Sequence, residues 1–261
     1  MLHSVLLKSI GDRSRATIIA VAILALYVGL AMAAYNTMSD DIIRIYESMP
    51  PAMAQIYGTN DGTALGLATG AVFALMAPVV ILSYSISGGV GAAVGEEKRG
   101  SLDLLLSNPV SRSGVVVPKS LVALAGTVII GFGTWLTVIG VAAMLGEDAG
   151  NLDVFSASMM LIGLAVMFGG LAAAVAGWTG RSGAGIGVAT GVAAVSWFVT
   201  SVLSIEPSLE TLSKLTPWYL YSGSDPIFNG IGWWQLAVMV GSGIVLALLG
   251  VVGVNRRDLK G

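Results

Sequence analysis

The chain has 261 residues, of which 55% are hydrophobic and only 11% charged, with a mean hydropathy of +0.85 and a formal net charge of −2. A soluble domain carries about 25% charged residues, so water alone cannot solvate this surface, whereas bilayer hydrocarbon removes that need. The charge balance gives no basic surface for nucleic acid, and the absence of Cys excludes disulfides and Cys-ligated metals.

Uncharged stretches of about 20 residues or more are read as membrane spans, here 17–35, 63–94, 120–145, 154–178, 184–205 and 234–254. None contains Asp, Glu, Lys, Arg or His. Ahead of the first, Leu2, Val5, Leu6 and Ile10 share a face while Lys8 and Arg13 stay polar, predicting an interfacial helix. The lone His3 reads as an interfacial polar residue. Ala31-Met32-Ala33 resembles a signal cleavage site, but the apolar run exceeds the usual ~7–15 residues. Removing it would leave five spans and put one terminus on the wrong side, so the run is read as span one. Residues 40–49 predict a second interfacial helix, stopped by Pro50-Pro51. Pro78 lies inside span two and predicts a kink near Ala74–Pro78. Residues 207–233 predict short helical pieces at the outer interface. Trp218, Tyr219, Tyr221, Trp233 and Trp234 are expected at headgroup level there.

With the N-terminus inside, eleven of the 13 Lys and Arg fall in inner segments. Only Arg44 and Lys214 fall outside, as the positive-inside rule requires. The fold class is therefore all-α: a polytopic membrane protein with six transmembrane helices, short interfacial helices and both termini cytoplasmic. Residues 1–261 are read as a single transmembrane domain.

Glycines spaced by four mark helix-packing faces: Gly183, Gly187 and Gly191 on span five, and Gly91 and Gly95 at the inner end of span two. Such faces serve either packing within one subunit or a subunit interface. The packing reading is the commoner use of this spacing.

The inner connection after span two holds Glu96, Glu97, Lys98, Arg99, Gly100, Ser101, Leu102, Asp103, Leu105, Leu106, Pro109, Val110, Ser111 and Arg112. Ser101 or Gly100 caps a short helix, Asp103 suits its positive end, and Pro109 ends it. Leu102, Leu105 and Leu106 share one face. A helix this short needs lipid or a protein partner to bury its leucines.

This run resembles the signature of ABC-2 type transporter permeases, in which an acidic pair leads into Gly-Thr-Leu-Glu-x-Leu-Leu-x-x-Pro-[Val/Ile]-Ser-Arg. Ser101 stands for Thr and Asp103 for Glu. The resemblance is closest to single-domain prokaryotic permeases of the nitrous-oxide-reductase maturation and sodium-extrusion groups. It implies that Glu96, Glu97, Arg99, Gly100, Leu102, Leu105, Leu106, Pro109 and Arg112 form a coupling helix docked on a separate ATPase. Weaker contacts are implied for the N-terminal helix and the Thr179–Gly183 turn. The implied assembly has two ABC ATPase subunits and a second permease chain, identical or related, in a prokaryotic cytoplasmic membrane. No Gly-x-x-x-x-Gly-Lys-[Ser/Thr] occurs, so this chain has no P-loop for nucleotide phosphates. ATP and Mg are expected on the partner, and no cofactor or metal in this chain. Other expected contacts are membrane lipids and no nucleic acid, and the expected direction is export.

Two other classes fit parts of the pattern. A non-transporting scaffold or assembly factor would share the packing features. An intramembrane enzyme would need a nucleophile–base pair or clustered ligands, and the spans hold neither His nor acid. No catalytic residue is expected.

Overall fold

The computed structural model describes residues 2–37, 63–98, 112–147, 152–202 and 210–257, together with Asp41, Arg44 and Ser48. These residues form helices and no strands. Six helical stretches are long and apolar enough to cross a membrane: Lys8–Tyr35, Leu65–Gly95, Arg112–Leu145, Val154–Thr179, Ser182–Ser201 and Trp233–Arg256. The predicted 40–49 helix lies largely outside the described residues; Asp41, Arg44 and Ser48 are helical.

Helix α1 (Leu2–Thr37) is continuous. The N-terminal amphipathic residues are helical and run into span one without a break, because neither Pro nor a glycine pair interrupts the run and the lone Gly11 costs only about 1 kcal/mol. At about 1.5 Å per residue, α1 is longer than the ~30 Å hydrocarbon core. Its stripe Ala20, Leu24, Val28 and Met32 is buried, while Ile19, Ile23, Leu26 and Leu30 face outward. Such a division suits a helix at the rim of a bundle.

Span two is α2 (Ala64–Ala71), a π-helical turn (Val72–Met76) and α3 (Ala77–Lys98). Thr63 caps α2 by accepting from the Gly66 N–H at 2.9 Å. The interruption falls where Pro78 predicts it: the proline ring crowds the carbonyl four residues back, and one wider turn relieves it. Span three, α4 (Arg112–Leu145), begins eight residues before its predicted start and carries Pro118 within it. Pro118 removes only one hydrogen bond near the helix start, so the helix runs through it.

Helix α5 (Val154–Thr179) is the centre, buried along nearly its whole length. Asp153 caps it, accepting from the Ser156 N–H at 2.9 Å. Gly180 ends it at φ 69°, a left-handed conformation suited to glycine. Helix α6 (Ser182–Ser201) follows at once and packs back on α5 and α3.

Three of the spans meet backbone to backbone. A Cβ at Gly170 would strike the Gly243 carbonyl, and one at Gly177 the Gly250 carbonyl. Conversely, a Cβ at Gly243 would lie 2.6 Å from the Val166 oxygen and one at Gly250 2.7 Å from the Ala173 oxygen. Gly163 faces Leu236 and Met239 in the same register. The offset is constant, so α5 and α10 (Trp233–Arg256) run parallel. On the other side, Gly89 abuts the Gly169 carbonyl, Gly169 abuts Ser85, and the Ser85 hydroxyl donates to the Ala165 carbonyl at 2.6 Å. Helix α3 is therefore also parallel to α5. Without side chains between them, helices gain close dispersion contact that lipid cannot supply.

Between spans five and six lie α7 (Glu210–Ser213), α8 (Pro217–Ser222) and α9 (Pro226–Asn229), the short pieces expected there. Trp233 and Trp234 are exposed, but Trp218 and Tyr221 are buried at 5% and 4% exposure, and Tyr219 is half-buried. Pro217 starts α8 with Thr216 as its cap, turning Trp218 and Tyr221 inward. The Tyr221 hydroxyl donates to the Phe73 carbonyl in the π turn at 2.7 Å. Burial holds this phenol protonated far above the ordinary tyrosine range.

Replacing Gly243 by Ala should cost about 1–3 kcal/mol through overpacking, read as a lower thermal midpoint in detergent. Gly241→Ala, whose Cβ enters open space on the same helix, should leave the midpoint unchanged or higher. Tyr221→Phe leaves a buried carbonyl unpaired and should cost about 1–3 kcal/mol in the same assay.

Candidate functional site

The Lys/Arg-rich end of the bundle collects the starts of α1, α4 and α6 and the ends of α3, α5 and α10. Arg112, the first residue of α4, closes the motif of the α3–α4 connection. Its guanidinium donates to the Val254 carbonyl at 3.1 Å and the Arg257 carbonyl at 2.5 Å. These belong to the end of α10, where helical carbonyls lack intrahelical partners and carry partial negative charge.

A second arginine repeats the arrangement one helix further. Arg257 donates to the Ala176 and Gly177 carbonyls at 3.4 and 3.3 Å, in the last turn of α5. Its guanidinium lies over Gly180, where a Cβ would sit 2.5 Å from the nearer nitrogen. Gly180 thus meets two demands, a left-handed backbone and room for Arg257. Arg112 and Arg257 together tie the start of α4 to the ends of α10 and α5.

Of the coupling residues predicted from sequence, Arg112 alone has described side-chain contacts. Glu96 and Glu97 lie in the last turns of α3, with side chains outside the described set. Arg99, Gly100, Leu102, Leu105, Leu106 and Pro109 lie outside the described residues. Arg181, in the short turn between α5 and α6, is exposed.

Among the described residues nothing comes within 4 Å of a Cβ at Gly91, Gly95, Gly183, Gly187 or Gly191. Gly185, on the other side of α6, is the one that meets α5. Sequence reasoning passed over Gly163, Gly170, Gly177, Gly243 and Gly250. Their signal is spacing by seven, which drifts only about 20° around a straight helix, repeated at one offset in two spans.

Deeper in the bundle, a cleft of about 200 Å³ opens between α3, α4, α5 and α10. Ser85 and Ser120 are the hydroxyl residues of an otherwise apolar lining that includes Leu124, Gly170 and Ile244. Hydroxyls with no adjacent base bond helix carbonyls rather than act as nucleophiles, and both do so here. Among the described residues no group of three His, Cys, Asp or Glu could hold a metal.

Arg112→Ala should remove two bonds to a helix end and cost about 1–3 kcal/mol. Arg257→Ala should cost a similar amount. Because both act through the end of α10, the double variant should lose less than the sum of the singles. Thermal midpoints of the four proteins measure this directly.

Residues 12–254 match the family described as "Multidrug efflux system permease Rv1217c, C-terminal domain". No curated protein and no solved structure matches the chain. Six apolar helices, a glycine-packed centre and a match across nearly the whole sequence lead to one conclusion: the chain belongs to this multidrug efflux permease family and is a multi-pass membrane permease.

Proposed function

We propose that the chain is the membrane-spanning subunit of an ATP-driven exporter of ABC-2 type. It works in a prokaryotic cytoplasmic membrane with two ATPase subunits and a second permease chain. Nucleotide and Mg bind on the ATPase. The cargo class is hydrophobic or amphipathic and drug-like, in keeping with the family description and the apolar cleft.

The observation that carries this reading is the placement of Arg112. The sequence segment proposed to grip the ATPase, 95–112, leaves α3 at one end and enters α4 at the other. Its exit is tied through Arg112 to the end of α10, and from there through Arg257 to the end of α5. Displacement of the segment therefore acts on three helix ends at once. The glycine-seamed helices α3, α5 and α10 resist sliding past one another, since any shift drives backbone into backbone. In this mechanism they turn as one body when the ATPase pair closes, and the cargo route opens against a second permease chain. The outward glycine face of α6 suits close approach of that chain. Coupling requires that the ATP-bound and ATP-free partner differ in their contacts with the segment.

The test is co-purification with a candidate ATPase followed by transport of an amphiphilic dye in proteoliposomes. Wild type should move dye only with ATP. The pair Leu105→Asp and Leu106→Asp should insert normally yet lose at least about tenfold in ATP-dependent transport, as burying unpaired charge at a docking face requires. Normal transport by that variant would remove the coupling role. A chain that binds the ATPase but never moves cargo would be a scaffold.

A further inference from the structure

A third arginine at the Lys/Arg-rich end stands apart from the clasp. Arg13 reaches sideways from α1 to α3. It donates to the Tyr84 carbonyl at 3.5 Å and the Ser87 hydroxyl at 3.2 Å, and its guanidinium carbon lies 4.8 Å from the centre of the Tyr84 ring. The Tyr84 hydroxyl hydrogen-bonds with the Thr17 hydroxyl at 2.8 Å, one turn further along α1. Two glycines make room for this pair. A Cβ at Gly88 would strike the Arg13 guanidinium, and one at Gly126 would strike the Tyr84 hydroxyl. The arginine of α1 is therefore seated on α3, with α4 making room for Tyr84 behind it, instead of extending freely toward water as an interfacial arginine ordinarily does.

Charge is what the seat lacks. A guanidinium offers five N–H donors, and among the described residues those of Arg13 meet neutral oxygens and a ring face. Asp12, next in sequence, is exposed. Beside the half-buried cation runs a groove of about 570 Å³ between α1, α3 and α4. Away from Arg13, Ser14, Thr17 and Tyr84 its walls are apolar. Ile10, Ile18, Leu121 and Ile129 are each at least 50% exposed, so in a bilayer the groove opens to lipid. A fixed cation at one end of an apolar channel, where α1 enters the hydrocarbon, matches one molecule in both charge and shape.

We infer that this groove is a binding site for an anionic phospholipid of the leaflet at the Lys/Arg-rich end. The phosphate sits on the free N–H donors of Arg13, since guanidinium–phosphate bonds are charge-assisted and oriented. One acyl chain lies along Ile18, Leu121 and Ile129. Basic pockets between transmembrane helices take anionic headgroups by this chemistry. The inference stands on the groove alone and does not depend on ATPase coupling.

Native mass spectrometry of the full purified chain tests it. The chain is equilibrated with equal amounts of phosphatidylglycerol and phosphatidylcholine bearing the same acyl chains. Wild type should retain phosphatidylglycerol preferentially, and Arg13→Gln should reduce that preference about tenfold, the scale of one charge-assisted bond. Arg181→Gln, a basic-end variant outside the groove, should retain it. Ala125→Trp fills the groove from an exposed position on α4 and should displace the lipid with Arg13 intact. If Arg13→Gln does not fold, Ala125→Trp decides: unchanged retention overturns the site. Equal retention of both lipids by wild type also overturns it, since the groove would then be a general apolar surface. So does full competition by glycerol phosphate without acyl chains, which would make Arg13 a plain anion site.

Discussion

The fold depends on backbone contact along one helix. Helix α5 touches α10 through Gly170, Gly177, Gly243 and Gly250, and touches α3 through Gly89 and Gly169. In lipid the hydrophobic effect does not press helices together, so close dispersion contact and short polar bonds must do it. Glycine allows the approach, and the Ser85 bond to the Ala165 carbonyl fixes the rotation of α3 against α5. The remaining helices are arranged by that seam. Helix α4 presents Gly131 to Ile162 on α5, α1 lies outside on α4, and α6 returns against α5 through Gly185.

The arginine clasp makes sense on such a block. Guanidinium groups on the carbonyls of two helix ends make part-buried bonds, which bind the ends together at about 1–3 kcal/mol each. On helices already locked backbone to backbone, they join the start of α4 to the ends of α10 and α5, the link that the proposed coupling uses. At the opposite end, the Tyr221 bond to the π turn ties the segment between spans five and six to span two. The π turn leaves room in the α3 ladder at the point where the outer segment grips it. The two ends thus differ in kind: charge on helix termini at one, a buried phenol on a widened turn at the other.

Much of this was legible in the residues. Six uncharged runs locate the spans, and the sorted Lys and Arg locate the basic end. Pro78 marks the break in span two, although the π turn that accommodates it is not a sequence property. The start of span three at Arg112 lay beyond the uncharged run, because Lys119 and Pro118 sit inside the helix and a proline near a helix start costs one bond without ending it. Glycines four apart drew the eye, yet those on α6 look outward; the seam uses spacing by seven, which reads as a stripe only when two spans are compared at one offset. Burial of Trp218 and Tyr221 was hidden by the usual preference of such rings for headgroups. The clasp pairs residues about 80 and 145 positions apart, a contact no local pattern encodes.

The central claim is that α5 and α10 behave as one rigid body. The chain contains no Cys, so two engineered cysteines can carry spin labels without background. Thr179→Cys at the end of α5 and Trp234→Cys at the start of α10 are exposed positions far apart along the parallel pair. Their distance reports any sliding directly. A single narrow distribution in nanodiscs, the same with and without the proposed ATPase partner and nucleotide, is the expected result. A distribution that broadens or shifts by a helical turn, about 5 Å, would contradict the account.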